Sequence, residues 1–108
     1  ALFGEYGEIL LQQNKYVPAK LQFENQFQLD STSAFACYKL ASLYAVKQNT
    51  ESCMLWLEKA FQRKFTEFSK LEKDKLFNSV RMLAPFKELV NRYQSEFHEE
   101  LMKRLKQK

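Results

Sequence analysis

Glycine and proline are nearly missing from this chain: each occurs twice in 108 residues. An all-β fold needs turn residues every ~8–12 positions, and a phosphate-cradling loop needs clustered glycines, so both are excluded. Histidine occurs once, at His98. In the run His98-Glu99-Glu100 the three side chains diverge around a helix, so the run supplies neither a metal set nor a general base with convergent partners. A single histidine cannot complete a triad, and there is no Cys-X-X-Cys or His-X-X-X-His. An enzyme is therefore not expected, nor is a metal or a cofactor. No apolar run reaches the ~18–20 residues of a membrane span, and no signal-peptide pattern opens the chain, so no membrane partner is expected.

The residues present are 45% hydrophobic and 28% charged, the balance of one folded domain. A domain of this size buries enough surface to need no disulfide or metal framework. Charge is unevenly placed. Residues 1–58 carry four lysines against six acids, a net of −2, and residues 59–108 carry the rest, a net of +6. A basic half can serve nucleic acid. Here its Lys and Arg alternate with Glu and Asp, the pattern of solvated helix faces, which argues against that partner.

A repeat of 34 residues runs through the first two thirds. It pairs Gly7 with Ala41, Leu10 with Tyr44, Ala19 with Cys53, Phe23 with Leu57 and Phe27 with Phe61. Each unit resolves into two amphipathic patterns at three- and four-residue spacing. Leu2, Phe3, Tyr6, Ile9 and Leu10 predict a first helix, which Asn14-Lys15 interrupts. Tyr16, Ala19, Phe23 and Phe27 predict a second, with Pro18 in its first turn, where a missing amide costs little. Asp30-Ser31-Thr32-Ser33 is a polar stop that offers N-cap hydroxyls to a third helix carrying Cys37, Leu40, Ala41, Leu43 and Tyr44. Either Asn49 or Thr50 caps a fourth, with Cys53, Trp56, Leu57, Ala60 and Phe61 facing inward. Cys37 and Cys53 fall at small interior positions and read as core thiols, with a disulfide as the alternative. Reduced thiols favour the cytoplasm; a periplasmic or secreted location is the alternative if an upstream signal has been removed.

These positions resemble the tetratricopeptide repeat. The first unit supplies Phe3, Tyr6, Gly7, Leu10, Asn14, Tyr16, Ala19 and Phe23 at the family's pattern positions, and departs at Gln26 and Ser31. The second supplies Leu40, Ala41, Tyr44, Leu57 and Ala60, and departs at Cys37, Thr50, Cys53 and Phe65. The resemblance implies an all-α fold. Residues 1–67 would form two helical hairpins (about 1–33 and 34–67) stacked as a right-handed superhelix. After Phe65 the period fails. Phe68, Leu71, Leu76, Phe77, Val80 and Leu83 predict two short helices, and Pro85 opens a long last helix with Phe86, Leu89, Val90, Tyr93, Phe97, Leu101 and Leu105 as its stripe. Residues 68–108 thus read as the cap that a repeat array requires.

The resemblance further implies a scaffold that binds a peptide or partner helix in a groove lined by the first helix of each unit. Carried over by the 34-residue offset, that groove would comprise Gly4, Glu8, Leu11, Gln12, Phe35, Tyr38, Ser42, Ala45 and Val46. Phe35 and Tyr38 lie off the interior stripe, so they are either binding anchors or are covered by residues 68–108 or a neighbouring repeat. The lysine and asparagines with which chaperone-binding relatives grip a C-terminal carboxylate are replaced here by Gly4, Glu8 and Ser42. The competing class is self-association, through the last helix or through an open edge near Leu2, Phe3 and Tyr6.

Overall fold

The structure, a computed structural model, describes residues 2–107, and these are all-helical. The elements in chain order are α1 (Leu2–Gln12), α2 (Tyr16–Leu29), α3 (Ala34–Val46), α4 (Thr50–Gln62), α5 (Phe68–Lys73), a 3-10 turn (Lys75–Phe77) and α6 (Ala84–Lys106). Packing follows that order: α1 on α2, α2 on α3, α3 on α4, and then α6 on α4.

The turns within the two hairpins share one geometry, 34 residues apart. Asn14 and Gln48 both adopt left-handed backbone, at φ 59° and 58°. At the first, the Lys15 N–H donates to the Leu10 carbonyl (2.8 Å) and the Asn14 N–H to that of Leu11 (2.9 Å). At the second, Asn49 donates to Tyr44 (3.0 Å) and Gln48 to Ala45 (2.9 Å). This paired bonding satisfies carbonyls that the helix end leaves free, which offsets the roughly 1–2 kcal/mol of left-handed backbone in a residue with a side chain. Lys64, at φ 73°, ends α4 in the same way. After Asn14 and Gln48 the next helix starts two residues on. Asn49, rather than Thr50, caps α4 by accepting from the Ser52 N–H (3.2 Å), and Ser33 caps α3 by accepting from Ala36 (3.1 Å).

Two clusters make the core. Leu10, Ala19 and Phe23 of the first hairpin hold Leu40 and Leu43 of α3. Gly7 lets the helices approach, because a β-carbon there would sit 2.7–2.9 Å from the Phe23 ring. The larger cluster joins Cys37, Ala41, Cys53 and Leu57 of the second hairpin to Phe65, Phe77, Phe86 and Val90. Both cysteines are free and buried. Burial pushes the Cys37 thiol up and the Cys53 thiol up to about 12, which favours the protonated form of both.

Residues 68–83 close the core as one short helix and a 3-10 turn. Asp74 holds them in place. One carboxylate oxygen accepts from the Leu76 N–H (3.0 Å) and the other from the Tyr38 hydroxyl (2.6 Å), while Arg81 donates to the Leu71 and Asp74 carbonyls. In α6, Ala84 is the first helical residue and Pro85 the second, one place later than the sequence suggests. Phe86 and Val90 are buried and Tyr93 stacks on Phe61, its hydroxyl donating to Glu58 (3.0 Å). From Gln94 onward every described residue of α6 is exposed.

Candidate functional site

The groove positions separate into two sets. On α1, Glu8 and Leu11 are half-buried and Gln12 is exposed. Glu8 reaches across to α3 and pairs with Lys39 at 2.5 Å. Phe35 is partly exposed, edge-on to Phe23 with Lys39 over its ring, and Val46 is half-buried.

Tyr38, Ser42 and Ala45 are buried, which corrects the expectation that they line an open groove. The loop after α4 and the segment 68–83 fold over them. Phe65 stacks on the Tyr38 ring (centroids 4.5 Å apart) and Phe77 leans on it (5.4 Å). Ser42 donates to the Lys39 carbonyl of its own helix, and the Ala45 carbonyl accepts from Ser79 Oγ (2.7 Å). Burial, and then the bond to Asp74, raises the Tyr38 phenol far above its usual range, so it stays neutral. Gly4 is also buried, because Gln26 fills the space its side chain would need. Of the two alternatives for the aromatics, Tyr38 is covered by residues 65–77, and Phe35 keeps part of its ring in solvent.

The open apolar surface lies elsewhere, and the repeat itself identifies it. Leu40 and Leu43 of α3 are 0% and 1% exposed because the first hairpin packs on them. Their equivalents 34 residues earlier, Tyr6 and Ile9 of α1, are 52% and 49% exposed. Leu2 continues that stripe and is exposed as well, whereas its counterpart Ala36 is buried. Phe3, expected at this edge, is half-buried. Leu21 of α2 and its equivalent Leu55 of α4 supply a control: they are 54% and 55% exposed, so exposure there belongs to both hairpins alike. The largest change in burial between these equivalents falls on the first-helix stripe. Ile9 belongs to the apolar pattern that predicts α1, and its pairing with Leu43 is the signal that marks it as an uncovered equivalent of a core position.

A second apolar surface runs along the free end of α6, where Phe97, Leu101, Met102 and Leu105 are exposed. At its base a cleft of about 670 Å³ is lined by Phe61, Phe65, Phe68, Tyr93, Phe97 and Leu101, among others. His98 is exposed on this same end. Among the described residues no group of His, Cys, Asp and Glu is close enough to hold a metal ion, and no helix is long and apolar enough to cross a membrane. The chemistry available at both surfaces is apolar contact framed by charge. In comparisons with known proteins, no protein family, no curated protein and no solved structure matches this chain.

Proposed function

We propose that this chain is a non-catalytic protein–protein interaction module of the tetratricopeptide kind, two hairpins in a right-handed superhelical stack with a helical cap. Its working surface is the outer stripe of α1. The observation that carries this reading is the burial of Leu40 and Leu43 against the exposure of Tyr6 and Ile9, their equivalents. Large apolar side chains in a continuous exposed stripe mark a contact surface, and aromatic residues within it are the usual anchors. The left-handed turns at Asn14 and Gln48 support the repeat register independently. A second reading places the partner in what remains of the groove, and the part of Phe35 left in solvent beside Lys39 favours it.

Photo-crosslinking tests both. With benzoyl-phenylalanine substituted for Tyr6, for Phe35 or for the exposed control Lys87 in the source cells, a discrete polypeptide adduct is expected from position 6. An adduct from position 35 alone would move the partner to the groove. Positions 6 and 35 behaving like position 87 would overturn the interaction reading.

A further inference from the structure

The uncovered stripe of α1 has a counterpart of matching length that ends in a basic turn, in the same molecule and at the far end of the packing order. On α1, Leu2, Tyr6 and Ile9 extend over about 10 Å of helix at 1.5 Å per residue. Between Leu2 and Gln12 there are two acids, Glu5 and Glu8, and no Lys or Arg. On the free end of α6, Phe97, Leu101 and Leu105 extend over about 12 Å. Glu99 and Glu100 lie between Phe97 and Leu101, and the last turn holds Lys103, Arg104 and Lys106. The two helices belong to opposite ends of the series α1–α2–α3–α4–α6, and α6 is seated on α4.

We infer that the occupant of the α1 edge is the free end of α6 from a second copy of this chain. The inference rests on the interaction reading above and adds the partner. The two helices run antiparallel, with Leu105 beside Leu2, Leu101 beside Tyr6 and Phe97 beside Ile9. That direction sets the basic last turn of α6 against Glu5 and opposes the two helix dipoles, whereas a parallel pairing would align them. The contact is heterologous, joining one surface to a different one, so two copies close on each other reciprocally or further copies extend the chain.

Sedimentation of the full chain tests the inference, with two double variants: the edge variant Tyr6→Asp/Ile9→Asp and the tail variant Leu101→Asp/Leu105→Asp. All four positions are solvent-exposed, and far-UV circular dichroism verifies that helix content is kept. The wild-type chain is expected to exceed its 12.9 kDa monomer mass as concentration rises, and to dissociate as salt is added. Each variant alone should need at least about tenfold more protein to associate, the loss expected of a central apolar anchor. Mixed one to one, the two variants should form a complex of two chains, because one intact edge then meets one intact tail. Glu5→Lys should weaken association in the same way and regain it when mixed with Lys103→Glu/Arg104→Glu. The inference is overturned if the mixture stays monomeric, if either variant alone associates like the wild type, or if the wild type is a monomer throughout. A monomeric wild type whose position 6 still captures another polypeptide would sink this partner and leave the interaction reading standing.

Discussion

Deleting residues 84–108 is expected to unfold the chain or drive it into aggregates, whereas deleting residues 99–108 should leave the monomer's melting curve nearly unchanged. The first half of α6 is core. Phe86 and Val90 are buried, and Leu89 and Tyr93 pack on the same cluster. Burying a large apolar side chain contributes about 1.5–3 kcal/mol. Two such side chains, with Leu89 and Tyr93 partly buried beside them, make up a large part of the roughly 5–15 kcal/mol that separates a folded domain from its unfolded chain. Their removal would also bare Phe61 and Phe77, an aromatic patch that favours aggregation. Beyond Glu99 the helix is exposed, and its ion pair, Arg104 with Glu100 at 3.6 Å, lies in solvent, where such pairs contribute little. Thermal melts by circular dichroism, read with gel filtration, separate the cases. Loss of folding on the short deletion, in a chain shown to be monomeric, would mean that the tail is docked core.

Phe77→Ala is expected to destabilise the chain by about 3–5 kcal/mol, the cost of the lost transfer energy and of the cavity left behind. Phe77 is 0% exposed and touches both Tyr38 and Phe86, so it ties α3 to α6. The turn that carries it has three residues and α5 has six, both too short to persist as helix without tertiary packing. The loss should appear as a lower denaturant midpoint with an unchanged slope. A variant with the parent's midpoint would show that residues 68–83 lie on the core without contributing to it.

Much of the local structure is legible before any coordinates. The polar breaks at Asn14-Lys15, Asp30–Ser33 and Gln48–Thr50 bound the first four helices, and the 34-residue offset pairs their interior residues. What covers each helix is less legible, because that depends on neighbours distant in sequence. Tyr38 sits off the interior stripe, and nothing in its local pattern announces that Phe65, Asp74 and Phe77 enclose it. Residues 68–83 follow no period, so their path over α3 has no sequence signature. Gln26 departs from the repeat pattern because its side chain fills the place beside Gly4, a contact between two helices. The left-handed turns at Gln48 and Lys64 carry neither glycine nor asparagine, so residue type gives no warning of them. The exposure of Ile9 has the opposite origin. An amphipathic stripe states which residues are apolar, and the neighbour that would bury them must be known separately.

The most direct test compares Ile9→Ala with Leu43→Ala in denaturant unfolding, at concentrations where the chain is a monomer. Equivalent positions in the repeat should then have unequal energetic weight. Leu43 is 1% exposed against Leu10, Ala19 and Phe23, and its truncation should cost about 2–5 kcal/mol. Ile9 is 49% exposed with no hairpin packed on it, and its truncation should cost no more than about 0.5 kcal/mol, as is usual at a surface. That inequality is the outcome expected of an unfilled repeat interface. Equal losses at the two positions would mean that Ile9 is already part of this chain's own core, leaving no open edge for a partner to occupy.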